Sequence, residues 1–233
     1  MNDTFRRLYP RPWDHDYLLM RRLAFALRAL IGSHLDGRTQ LTVVDYGCGP
    51  MPYRALFEGR AGRYFGADLP DNPAADIHLD PQGRLPLADN SVDVVLSSQV
   101  LEHVLDVDAY LDECRRVLRK SGLLLLSTHG SWIYHPQPTD VRRWTRWGLV
   151  YDIERHGFAV KGCEPCVGPL AYTTQLRLLF LTGLLAKFGL VGRIVTAPFT
   201  VLCQALMWLG DLITPAWLTR ENACVYVIAA RRE

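Results

Sequence analysis

The sequence predicts an α/β fold: a doubly wound, mostly parallel sheet with an antiparallel last strand and a hydrophobic helical insertion before it. Three observations predict it. Short apolar runs alternate with stretches of helical periodicity, as in βαβ units. One run, Leu41-Thr-Val-Val-Asp45, ends in an acid and opens directly onto Gly47-Cys-Gly49, which is the order strand, glycine turn, helix. The final run, Cys224 to Ala230, pairs most cheaply with its predecessor as an antiparallel edge.

The elements follow in chain order. Asp14 is the expected N-cap of a helix to about Leu35, with Met20, Leu23, Leu27, Leu30 and Ile31 on one face and Arg21 and Arg28 opposite. Arg21, Arg22 and Arg28 interrupt its apolar stretch, so it reads as an amphipathic helix and not as a secretory leader. After Gly37 come the strand to Asp45, then Tyr64–Asp68, Asp76–Asp80 and Val92–Ser97. Val107, Tyr110, Leu111, Cys114, Val117 and Leu118 recur at helical spacing. A Ser121-Gly122 turn then leads into Leu123–Ser127, short and apolar enough to be a buried parallel strand. Trp144 to His156 reads as a helix stopped by Gly157, and Phe158 to Val167 as a strand.

Composition narrows the function classes. The 26 Lys and Arg nearly balance the 24 Asp and Glu, which gives no electrostatic footprint for nucleic acid, so no such partner is expected. The six cysteines are scattered, in keeping with a reducing cytoplasm. Cys163-Glu-Pro-Cys166 has the spacing of half a zinc site, but no matching second pair follows, and no metal is expected.

A glycine turn between strand and helix lets backbone N–H groups approach an anionic or polar ligand. A dinucleotide fingerprint counted from Gly47 needs a third glycine where Pro52 stands, which weakens an NAD reading. Asp68 ends the next strand, at the distance where an acid accepts both hydroxyls of an adenosine ribose. The ligand is read as an adenosine compound.

At these residues the chain resembles the class I S-adenosylmethionine-dependent methyltransferases, close to the type 11 branch. The matching stretches are Val43-Val-Asp-Tyr-Gly-Cys-Gly49, Gly66-Ala-Asp68, Leu85-Pro-Leu-Ala-Asp-Asn-Ser-Val-Asp93, Ser97-Ser-Gln-Val-Leu-Glu-His103 and Arg116-Val-Leu-Arg-Lys-Ser-Gly122. The resemblance implies a seven-stranded Rossmann-like sheet and S-adenosyl-L-methionine as cofactor. It implies that Asp45 and the turn Gly47-Cys48-Gly49 hold the methionine portion, Asp68 the ribose hydroxyls and Asp80 the adenine amino group, with Gln99 at the tip of the fourth strand. The chain departs from the family at Met51, where a third glycine is common. The resulting layout is one domain: a helical cap (1–40), a cofactor-binding core (41–169), an apolar insertion (170–219) and a final strand (220–233).

Methyl transfer from a sulfonium requires an aligned acceptor and, for a hydroxyl, a base. The candidates cluster after the fifth strand, beyond the carboxyl end of the sheet, where ligands of such folds bind. His129, His135 and Asp140 are the catalytic candidates. Trp132, Tyr134 and Trp144 are candidates for stacking on an acceptor, and Arg142, Arg143 and Arg146 for clamping a carboxylate or phosphate. His103 is read as structural. This tract and Asp45-Tyr-Gly-Cys-Gly-Pro-Met-Pro-Tyr-Arg54 are similar, more loosely, to methyltransferases of bacterial surface-polysaccharide synthesis. That implies O-methylation of a sugar or glycan intermediate, lipid-linked or nucleotide-linked. The alternatives are a quinone or lipid-like acceptor, an NAD-dependent oxidoreductase, and a membrane-associated nucleotide-binding protein.

Between Leu170 and Thr219 the only charges are Arg177, Lys187, Arg193 and Asp211. The charge-free run Ile194 to Gly210 falls just short of a membrane span, and Thr196, Thr200 and Gln204 leave a narrow polar stripe on it. Two helices broken near Gly189 to Arg193 are expected, acting as a lid, a homodimer interface or a peripheral contact with the inner face of a membrane.

Overall fold

The structure, a computed structural model, describes residues 3–135 and 139–233. Its single sheet has the order β3-β2-β1-β4-β5-β7-β6. The strands are β1 (Leu41–Tyr46), β2 (Ala61–Asp68), β3 (Ile77–His78), β4 (Val92–Ser98), β5 (Leu118–His129), β6 (Phe158–Cys166) and β7 (Val225–Arg232). The five strands from β3 to β5 are parallel, and β7 runs antiparallel to both of its neighbours. The last strand is therefore not the edge expected from the sequence. It lies between β5 and β6, buried along its whole middle, and β6 is the edge.

Alternating side chains of the central strands feed two cores. Val43, Leu123 and Leu125 face α2 (Tyr17–Leu35), which follows the short α1 (Asp3–Leu8), while Val44, Leu124 and Leu126 face α3 (Val107–Val117) and α4 (Arg146–Arg155). Such two-sided burial explains why these strands read as continuous apolar runs. Asp106 and Thr145 cap α3 and α4, accepting from the backbone N–H of Ala109 and Gly148. Asp14 does not cap α2 as expected. It accepts from the Arg11 N–H in the turn ahead, and Asp16, ion-paired to Arg6, precedes the helix. Ser121-Gly122 is also not a turn between elements, because β5 already starts at Leu118 and Ser121 takes a positive φ inside it, at an irregularity in its pairing with β4.

The insertion folds as α5 (Pro169–Ala186) and α6 (Gly189–Ile213), followed by α7 (Ala216–Glu221). The break falls at Lys187-Phe188, slightly earlier than the glycine-based expectation. α6 is inverted relative to a helix of a water-soluble domain. Its polar stripe, Thr196, Thr200 and Gln204, faces inward and is buried. Gln204 accepts from the Leu18 N–H at 3.1 Å and donates to the His15 carbonyl at 2.8 Å, and Gln175 of α5 donates to the same carbonyl. Asp211 pairs with Arg22 at 2.6 Å. The outward arc carries Leu190, Ile194, Phe199, Leu206, Trp208 and Leu212, all exposed.

Candidate active site

The sheet order reverses direction between β1 and β4, the place where open α/β sheets bind ligands at their carboxyl ends. The glycine turn leaves β1 at this point. Gly47 adopts φ +78°, and a Cβ there would lie 2.5 Å from Val100 Cγ2, so only glycine lets the segment after β4 approach. Gly49 has φ +49° with open space above it, which leaves its backbone approachable by a ligand.

Two acids flank the turn. Asp45 is buried and accepts a 2.7 Å hydrogen bond from the Tyr64 hydroxyl. Burial pushes its carboxyl up to about 7, with the Tyr64 hydrogen bond opposing and the Asp68 charge adding to the rise. Asp68 accepts from the Gly49 N–H at 2.8 Å and from Asn72, so it already ties the second strand end to the turn. Cys48 points into the same place, its thiol pushed up to about 12 by burial and the two acids. Met51 keeps the left-handed conformation of a glycine, φ +53°, with its thioether over Gly66.

The other sequence-predicted cofactor residues lie farther out. Asp80 is exposed, and its Oδ1 accepts from the Gln82 and Arg84 N–H groups, shaping the loop that Tyr46 holds through the Gly83 carbonyl. Gln99 sits at φ +59° at the β4 tip and donates to the Ser127 hydroxyl at 3.2 Å.

Beside the turn, the ends of β4 and β5 build a polar cluster. His129 ends β5 and is buried, its ring stacked on Trp132 at 5.4 Å. Its Nδ1 lies 2.9 Å from Oε1 of Glu102, a fully buried carboxylate in the 3-10 turn Leu101–His103. Thr128 donates its hydroxyl to the other Glu102 oxygen at 2.8 Å. Burial would raise the Glu102 carboxyl, but nearby His129 and the Thr128 hydroxyl outweigh it and hold it low. The His135 ring stacks on His103 at 5.0 Å and meets the edge of His129 at 5.0 Å. Burial and the neighbouring His129 push His135 below the ordinary histidine range. Sequence reasoning gave Glu102 no role and read His103 as structural. The available signal was an acid-histidine pair embedded in the apolar Val-Leu-Glu-His-Val-Leu stretch after a strand.

Several acceptor-side assignments are corrected. Trp144 is buried in the α4 core and its indole N–H is spent on Asp152 at 2.9 Å, so it offers no stacking face. Asp140 is not a proton acceptor, because Arg143 grips it with two N–H groups and holds its carboxyl well below the usual range. Arg143 also donates to the Trp132 and Ile133 carbonyls, and Arg142 to the Val104 carbonyl. Both arginines thereby fasten the loop. Arg146 lies 3.8 Å from Glu221. Trp132 remains half-buried against His129, and Tyr134 is exposed. A cleft of about 760 Å³, lined by Arg38, Arg119, Lys161 and Arg231, lies at the opposite, amino-terminal edge of the sheet, away from these groups.

Comparison with known proteins bears on the fold that carries this site. A family model described as a methyltransferase domain matches residues 44–126. A Mycolicibacterium smegmatis protein described as a probable S-adenosylmethionine-dependent methyltransferase is 33% identical over 134 residues, 51% of this chain and 52% of that one. The chain spans about half the length of the curated relatives it matches. An S-adenosylmethionine-dependent methyltransferase from Mesorhizobium loti superposes with a TM-score of 0.57 at 19% identity, covering 91% of this chain and 98% of that one. The fold is that of a class I methyltransferase. A cyclase shares this methyltransferase fold, with a TM-score of 0.60, 18% identity and coverage of 91% and 82%, so the fold alone does not fix the reaction.

Proposed function

We propose that the chain is an S-adenosylmethionine-dependent O-methyltransferase acting on a hydroxyl of a lipid-linked sugar or glycan intermediate at a membrane surface. The observation that carries the cofactor reading is the pair of acids, Asp45 and Asp68, on either side of a glycine turn at the β1/β4 crevice. The donor set suits the group: open space over Gly49, a buried carboxylate for the cationic methionine end, and a strand-end acid for the ribose. The cofactor supplies a methyl group on a sulfonium, an already activated leaving group. The chain's own task is to align the acceptor and take its proton. His129, backed by Glu102 at 2.9 Å, is the base, and Trp132 covers its ring. The acceptor oxygen forms its bond to the methyl carbon, the carbon–sulfur pair leaves with sulfur, and the hydroxyl proton goes to His129. Positioning of this kind is worth roughly 7–11 kcal/mol and a base about 10²–10⁴-fold.

The lipid-linked acceptor is favoured by α6, whose outward arc is apolar over 25 residues, roughly 37 Å at 1.5 Å per residue. A second copy would cover one strip of this arc, whereas a bilayer boundary accommodates all of it. Apart from Asp211, held inward by Arg22, the insertion's charges are cations, which suits an anionic lipid surface.

Thermal-shift titration with S-adenosylhomocysteine, set against NAD, tests the cofactor reading, and no shift with the former rejects it. Mass spectrometry of lipid-linked glycan acceptors incubated with the cofactor, beside a quinone, tests the acceptor. Methylation of the quinone alone rejects the glycan.

A further inference from the structure

Beside the ends of β4 and β5, Glu102 Oε1, His129 Nδ1 and His135 Nδ1 are buried and make no well-aligned hydrogen bond among the described residues. A carboxylate oxygen with no exposure needs a donor or a positive charge beside it, and His129 Nδ1 stands 2.9 Å away. His103 sharpens the point. Its Nδ1 contacts the Thr139 carbonyl, which only accepts, so Nδ1 carries a proton and Nε2 is the nitrogen left to face the carboxylate, 3.9 Å from Glu102 Oε1. One ligand atom each from Glu102, His103 and His135 lies within 4.8 Å of the other two.

We propose that Glu102, His103 and His135 form a binding site for a divalent transition-metal cation of the Zn²⁺ class, with His129 beside it. The donor set selects the class. Two imidazoles and one carboxylate suit Zn²⁺ and its borderline neighbours, whereas Mg²⁺ and Ca²⁺ favour all-oxygen shells. Two histidines and a glutamate also form the three-ligand set of catalytic zinc sites that keep one position open. The surrounding groups are those that orient metal ligands: the Thr139 carbonyl on His103, Thr128 on Glu102, and Asp140 3.4 Å from His135 Nδ1. Asp140 is in turn fixed by the two N–H groups of Arg143, which gives that pair a purpose beyond fastening the loop.

The chemical role of the open position rests on the methyl-transfer reading, while the binding itself does not. A cation held by these three residues would supply Lewis acidity to an acceptor hydroxyl at its open position, and His129 is the neighbouring group placed to take the proton.

The test uses the full chain, freed of any affinity tag and stripped with chelator, then dialysed against Zn²⁺ and analysed for metal per chain, with affinity from competition against a chromophoric chelator. One Zn²⁺ per chain is expected, unchanged in His78→Ala, an exposed histidine outside the cluster. His103→Ala and His135→Ala should weaken binding at least about tenfold, and Asp140→Asn to a smaller extent. Circular dichroism and S-adenosylhomocysteine binding establish that each variant is folded. Less than stoichiometric Zn²⁺ in the wild type, Mg²⁺ taken in place of Zn²⁺, or unweakened binding in both histidine variants overturns the site. A chain that binds Zn²⁺ but gives no shift with S-adenosylhomocysteine refutes the methyl-transfer reading and leaves the cation site standing.

Discussion

Gly47 and Gly49 share a left-handed backbone but differ in surroundings, and single alanines should separate strain from sterics. Both substitutions incur about 1–2 kcal/mol for a side chain at positive φ. Gly47→Ala additionally drives a Cβ into Val100, so about 1–3 kcal/mol of overpacking adds to it, measurable as a lower urea midpoint than for Gly49→Ala. Gly49→Ala should instead weaken cofactor binding, since its Cβ projects into the open space. Asp45 makes a pH prediction. Its carboxyl is raised to about 7, so the ligand-free fold holds a proton that the unfolded chain releases near 4, and stability falls as pH rises between those values. A cationic ligand binds the carboxylate form, so S-adenosylmethionine affinity should rise about tenfold from pH 6 to pH 8 and lose that dependence in Asp45→Asn. A flat wild-type profile would show that Asp45 does not meet the charge. The glycines and strand-end acids were legible in the sequence because backbone conformation and strand ends are local properties. Glu102 was not, because what marks it is complete burial of a carboxylate beside Thr128 and His129, which are remote along the chain.

At the scale of elements, α6 reverses the usual rule about which face tolerates change. Gln204→Leu improves apolarity yet strands the Leu18 N–H and leaves the His15 carbonyl to Gln175 alone, so it should cost about 1–3 kcal/mol by denaturant titration. Phe199→Ser with Leu206→Ser removes exposed apolar groups and should leave the unfolding midpoint within about 0.5 kcal/mol of wild type for each site. The same pair should abolish co-flotation with anionic liposomes. A wild type that stays in the soluble fraction would disprove the membrane contact, and retained flotation of the variant would show that the α6 arc does not make it. The periodicity announced the polar stripe but not its direction, because an amphipathic pattern is the same whether the polar face meets water or α2. Strand order was hidden for a related reason. Antiparallel pairing of β7 is equally compatible with an edge and with a slot between β5 and β6, and the slot is chosen by the long β5, which offers Leu123 to His129 as partners.

For the whole molecule, the parallel half of the sheet carries the proposed cofactor groups and the β4–β5 ends carry the proposed acceptor-side cluster, with Val100 packed on Gly47 between them. This division predicts two ligand sites that fail independently. S-adenosylhomocysteine at 100 times its Kd adds about 2.7 kcal/mol to the folded state, or roughly 5–10 °C in Tm for a chain of this length. Asp68→Ala should erase that shift and leave Zn²⁺ binding intact, whereas His103→Ala should do the reverse. The double variant should show the sum of the two losses within about 0.5 kcal/mol, because no hydrogen bond or ion pair links Asp68 to His103 among the described residues. A larger coupling would mean that the glycine turn and the 3-10 turn move as one unit, carried by the Val100 contact. In that case Gly47→Ala, which disturbs that contact directly, should weaken both ligands at once.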